Sequence, residues 1–174
     1  FLGDSLCRIL RFVGHEVISD NHIGDWGTQF GKLIVGWKKE LDSKALELDA
    51  LGEMERLYRR MNHLCENDPG VLEEARLELL KLQQGDEENL SIWREMIELS
   101  TRQFDEIYSR LGVKFDETLG ESQYNDRLNA LASEMERNGL AERSQGALVI
   151  FFPDDSELKD HPAMIQKSDG AANY

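Results

Sequence analysis

The sequence predicts an α/β protein in which a long acidic helical segment separates two shorter flanks of mixed helix and strand. Three observations predict it. Residues 40–143 carry 25 acidic and 13 basic side chains, so most of the chain's net charge of −14 lies there. Apolar residues in that middle recur three and four positions apart, the period of an amphipathic helix. By contrast, Ala147-Leu148-Val149-Ile150-Phe151-Phe152 is a continuous run rich in β-branched and aromatic side chains, the pattern of a buried strand.

The first flank opens with Leu2, Leu6, Ile9, Leu10 and Val13 at helical spacing, and Gly14 follows where a left-handed cap would sit. Glu16-Val17-Ile18 is a short strand candidate. Asp20 to Gly31 reads as a polar loop punctuated by Gly24, Gly27 and Gly31. A short helix from about Gln29 to Lys39 can then present Phe30, Leu33, Ile34 and Trp37 on one side. The middle reads as three helices. The first spans about 43–66, with Leu46, Ala50, Met54, Leu57, Met61 and Leu64 on one stripe. Asp68-Pro69 starts the second, pairing an N-cap carboxylate with proline at the first helical position, and Gly85 ends it. Asp86 opens the third, where Glu87 and Glu88 complement the helix dipole, and Gly112 stops it. Val113-Lys114-Phe115 looks extended. A further helix from about Asn125 to Asn138 stops at Gly139. The strand at 147–152 ends at Pro153, and Met164-Ile165-Gln166-Lys167 is expected to pair with it. Ser168-Asp169-Gly170 is a turn.

The 174 residues amount to about one domain. No apolar run approaches the roughly 20 residues that cross a bilayer, and the N-terminus has no basic stretch followed by an apolar core, so neither a spanning helix nor a signal peptide is expected. The absence of an initial Met makes the chain look like a piece of a longer protein. Cys7 and Cys65 lie 58 positions apart with no Cys-x-x-Cys, which favours free thiols in a reducing compartment over a disulfide framework or zinc site. A strongly acidic surface repels phosphate and argues against a general nucleic-acid binder; neither DNA nor a membrane is expected as a partner.

His15, His22, His63 and His161 are scattered without metal-ligand spacing, and no Ser/His/Asp or Cys/His motif surrounds them, so neither a metal site nor a catalytic residue is assigned. Gly24, Gly27 and Gly31 do not fit G-x-G-x-x-G, and there is no G-K-[ST]. The glycines permit positive φ and close backbone approach, and Trp26 among them offers a flat apolar face. A tight structural turn and a ligand-facing loop are both consistent with that spacing.

The whole string Asn21-His22-Ile23-Gly24-Asp25-Trp26-Gly27-Thr28-Gln29-Phe30-Gly31 is more specific, and resembles the signature of the arginyl-tRNA synthetases, ligases of class I. The preceding Gly3-Asp4-Ser5-Leu6, Arg8-Ile9-Leu10 and Gly14-His15-Glu16-Val17-Ile18 resemble the helix and strand before that signature. Leu82-Gln83-Gln84-Gly85-Asp86-Glu87-Glu88, Leu119-Gly120-Glu121-Ser122-Gln123-Tyr124-Asn125 and Gly146-Ala147-Leu148-Val149 resemble later segments in the family's order. Gln166-Lys167-Ser168-Asp169-Gly170 resembles the stretch leading back to the active site. The likeness covers essentially the whole chain.

The resemblance implies a partial Rossmann-like catalytic core with a mainly helical insertion. Residues 1–39 would form the first part of the core, 40–143 the connective insertion, and 144–174 the strand-rich return, with a mostly parallel sheet in the flanks. It implies an intact parent that activates L-arginine with ATP and Mg²⁺, then transfers it to tRNA-Arg in the cytoplasm. His22-Ile23-Gly24 is followed by Asp25 and so is not the family's His-Ile-Gly-His phosphate element. That element would fall just before Phe1, and the Lys-Met-Ser-Lys-Ser type loop well beyond Tyr174; Lys167-Ser168 does not replace it. A chain lacking both is expected to be inactive alone. Tyr174 falls at the family's arginine-contacting Tyr position, although Ala171-Ala172-Asn173 departs from the Gly-Tyr-Leu-like residues expected before it. Asp25, Trp26 and Gln29 would line the active-site region, with a scaffold role for their loop as the alternative. A different class of function, a non-catalytic acidic helical interaction module, would also use the Leu/Met stripes as a groove for a partner.

Overall fold

The structure is a computed structural model that describes residues 1–168 and residue 170. The fold is α/β and predominantly helical. It divides into two compact units, one within Phe1–Thr118 and one beginning at Leu119.

In the first unit, α1 (Leu2–Phe12) ends as its spacing predicts, with Gly14 left-handed at φ 93° and the His15 amide donating back to the Leu10 carbonyl. It buries no residue; Leu2 and Phe12 are about nine-tenths exposed, at 90% and 91%. α2 (Thr28–Glu40) is the hub, packing against α4 (Ala50–Asn67), α5 (Pro69–Gln83) and α6 (Glu87–Leu111). It buries Phe30, Ile34, Val35 and Trp37 in two clusters, with Met54, Leu57, Leu82 and Met96 in one and Met61, Cys65 and Ala75 in the other. A helix surrounded on several sides needs close approaches, and Gly31 supplies one: a Cβ there would overlap the Ala75 carbonyl of α5.

The single helix expected over 43–66 is two. α3 (Ser43–Leu48) and α4 are separated by Asp49, which is extended at φ −151°, ψ 87°. Asp42 caps α3 by accepting from the Lys44 and Ala45 amides, and Asp49 caps α4 by accepting from the Gly52 amide at 3.0 Å. A short acid beside a helical run competes for backbone donors, so it starts a new helix where the apolar period alone suggests continuation. The other starts are as expected: Asp68 accepts from the Gly70 amide, and Asp86 accepts from the Asn89 amide. Gly112 closes α6 in the left-handed region at φ 66°.

Glu16-Val17-Ile18 forms no strand. The pairing lies further on, where Asp20 makes an isolated parallel bridge with Glu117. That bridge is the parallel pairing seen among the described residues; the strands themselves pair antiparallel.

The second unit holds a 3-10 turn (Glu121–Tyr124), α7 (Asn125–Arg137) and a sheet of β1 (Glu142–Ser144), β2 (Ala147–Ile150) and β3 (Ala163–Gln166) in that order. Ala132, Ala141 and Leu148 form its core. β2 and β3 pair as expected, with Leu148 opposite Gln166 and Ile150 opposite Ala163. β1 was not anticipated. It is joined to β2 by Gln145-Gly146, both at positive φ (51° and 85°), the backbone of a two-residue hairpin turn. Such a turn permits only antiparallel pairing, whereas a parallel pair needs a long crossover.

Candidate functional site

The loop between α1 and α2 has no ladder of its own and is held by side chains. At its start, the Asp116 carboxylate accepts from the Ser19 amide at 2.7 Å, the Ser19 hydroxyl at 2.7 Å and Arg11 at 2.5 Å. The bonds from Ser19 chiefly hold the Asp116 carboxyl below its usual range, with desolvation opposing them and Arg11 adding to them. The Asp116 and Glu117 amides both donate to the Ser19 carbonyl, and the Asn21 amide donates to the Glu117 carbonyl. At its end, Gly27 takes φ 119° as the residue before α2, and Gln29 Nε2 folds back to donate to the Trp26 carbonyl at 2.9 Å.

Between these anchors the loop forms one wall of a cavity of about 580 Å³. Asn21 to Asp25 line that wall; α4 contributes Leu51, Met54, Glu55 and Tyr58, and α6 contributes Met96, Ile97, Ser100, Phe104 and Tyr108. Tyr108 donates its hydroxyl hydrogen to Asn21 Oδ1 at 3.3 Å and stands edge-on to Phe115 at 5.0 Å. The lining includes two carboxylates, Asp25 and Glu55, and neither Lys nor Arg. Such a wall suits an apolar or cationic group and disfavours phosphate.

Of the residues singled out in the sequence, Asp25 is buried and lines the cavity. Trp26 does not offer a free flat face. Its ring is buried, packing edge-to-face against Trp93 at 5.7 Å and 87°. Gln29 is half-buried and engaged with the loop backbone. Tyr174 lies outside the described residues. Trp93 and Tyr108 belong to the site and escaped sequence reasoning, whereas their partner loop was named as a string that begins at Asn21. Trp93 and Tyr108 fall on the apolar stripe of α6 and read there as ordinary core. Their polar partners are 68 and 87 positions away, so no local pattern marks them.

Residues 1–174 match the family of tRNA synthetases class I (R), catalytic domain, from end to end. The chain belongs to the class I arginyl-tRNA synthetases. It is 45% identical over 173 residues to an arginine–tRNA ligase of Fusobacterium nucleatum, covering 99% of this chain and 30% of that protein. It is 43% identical to one from Clostridium botulinum, with the same coverage. The arginyl-tRNA synthetase of Plasmodium falciparum superposes with a TM-score of 0.76 at 27% identity, over 99% of this chain and 28% of that one. The Thermus thermophilus enzyme shares the fold, with a TM-score of 0.62 at 23% identity over 99% of this chain and 30% of that one. The chain thus spans about 30% of the length of the curated synthetases it matches and corresponds to part of their catalytic domain. Among its described residues, no helix is long and apolar enough to cross a membrane.

Proposed function

We propose that this chain forms the section of an arginine–tRNA ligase that carries the Asn21–Gly31 loop and the connective helices, within a parent that makes arginyl-adenylate from L-arginine and ATP with Mg²⁺ and passes the arginyl group to tRNA-Arg in the cytoplasm. Family membership along the entire chain is the observation that carries this reading. In it, residues 1–39 and 144–174 belong to the Rossmann-like core and residues 40–143 are the insertion.

Activation is substitution at phosphorus followed by acyl transfer, chemistry governed by positioning and electrostatic stabilisation. The chain's contribution is positional. Asp25 and Trp26 set the loop against α6, Gln29 closes it on its own backbone, and Tyr174 would contact the arginine. The carboxylate-lined cavity is a poor host for triphosphate, which agrees with phosphate binding by other parts of the parent.

The test is arginine charging by the full-length parent, with Trp26→Ala and Tyr174→Ala measured beside wild type. Charging by wild type, reduced in both variants, is expected. Wild-type protein that charges no arginine defeats the reading. The 174 residues alone are expected to give no arginine-dependent pyrophosphate exchange.

A further inference from the structure

Residues 21–26 sit between two anchored ends, and two side chains of α6 grip them, Tyr108 at Asn21 and Trp93 at the Asp25 backbone. Trp93 Nε1 donates to the Asp25 carbonyl at 2.8 Å, and the Trp93 ring meets the edge-to-face Trp26 ring at 5.7 Å. We infer that Trp93 is a positioning residue for the Asn21–Gly31 loop, holding the Asp25 backbone in register with the cavity floor. This rests on the ligase reading above.

The geometry favours positioning over simple space filling. Trp93 is only half-buried, and its one polar hydrogen is spent on a loop carbonyl. Its helix, α6, also supplies Met96 and Ile97 to the cavity floor within one turn of it. Trp93 therefore couples the Asp25 end of the loop wall to the helix that supplies the floor, as Tyr108 couples the Asn21 end. Asp25 is held at both of its backbone polar groups: its carbonyl takes the indole N–H, and its amide donates to the Ile23 carbonyl at 3.0 Å. Releasing the carbonyl frees the turn that places Asp25 in the cavity wall. A misplacement of about 1 Å at such a site can lower a rate by about a hundredfold.

The test compares wild type, Trp93→Phe and Trp93→Leu in the full-length parent. Phe keeps a ring and removes the hydrogen bond; Leu removes both. Two readouts are taken: steady-state arginine charging, and amide hydrogen exchange of peptides covering residues 21–26, α2 and α4. For Trp93→Phe the expected result is a fall in kcat of about tenfold or more with KM for arginine and ATP within about twofold. Exchange at 21–26 should quicken by about tenfold while α2 and α4 hold their protection. Trp93→Leu should exceed both effects. Unchanged exchange at 21–26 in Trp93→Phe overturns the inference. So does equal quickening across the loop, α2 and α4, which marks a packing role, or a loosened loop with unchanged kcat. If the wild-type parent charges no arginine, the ligase reading fails, and the exchange comparison still decides whether Trp93 holds the loop.

Discussion

Asn89 donates twice to Glu78 through Nδ2, at 2.8 Å to the Glu78 carbonyl and at 2.8 Å to its carboxylate. Both residues are buried, and the carboxylate also accepts from Lys38 at 2.8 Å and Lys81 at 2.7 Å. This cluster ties α2, α5 and α6 together. Burial by itself would raise the Glu78 carboxyl, but the bonds from Lys38, Lys81 and Asn89 outweigh it and push the group down to about 2. Burial likewise opposes the charge on Lys38, and its bonds to Glu78 and Glu88 outweigh that effect and raise it.

Acid should therefore loosen the helical unit. The Glu78 pKa is lower in the folded chain than in the unfolded one, so its stabilisation is complete above its ordinary value of 4.5 and disappears as pH falls towards 2. The loss is on the order of 3 kcal/mol across that window. Urea unfolding at stepped pH checks it. The stability gap between wild type and Glu78→Gln should narrow steadily from pH 5 to pH 2, and a constant gap would contradict the argument.

Gly31→Ala is expected to destabilise the protein by about 1–3 kcal/mol, because the added methyl group forces α2 away from the Ala75 carbonyl of α5. The usual helix preference for alanine would give the opposite sign at an exposed site. Equilibrium denaturation of Gly31→Ala beside Gly3→Ala separates the two: a Cβ at Gly3 meets nothing within 4 Å, so that control should be neutral or stabilising.

Asp49→Ala removes the carboxylate that accepts from the Gly52 amide at the start of α4. A loss of about 1 kcal/mol is expected. Far-UV circular dichroism taken alongside should show no loss of helix. A more stable variant with added helix would mean that the break between α3 and α4 is imposed by Asp49 at a net cost.

At the β1–β2 turn, Gln145 holds φ 51°, a conformation that suits asparagine better than glutamine. Gln145→Asn should raise stability by about 0.5 kcal/mol, and Gln145→Val should lower it by about 1 kcal/mol or more. Thermal melts of the two variants should bracket wild type; the reverse order would refute the turn assignment.

Helix ends were the most legible part of this fold. Gly14, Gly112 and Gly139 stop helices in the left-handed region, and Asp68 and Asp86 start them, because caps act within a few residues of themselves. Asp49 is the same chemistry overlooked, since the apolar stripe runs through it without a gap. The Asn21–Gly31 loop was legible as a family string, but the orientation of Trp26 was not. A tryptophan among glycines reads as an open face until its partner is known, and Trp93 enters from α6, a helix that begins only at Glu87.

By itself the sequence determined where most helices begin and end, the pairing of β2 with β3, and the family, because these depend on local backbone chemistry, apolar period and an ordered string of residues. Only the tertiary structure decided that Trp26 turns inward, that Gly31 admits α5, that Glu78 keeps its charge when buried, and that Asp20 rather than residues 16–18 meets Glu117. Each of these depends on atoms brought together from distant parts of the chain, and such meetings leave no periodic trace in the residues on either side.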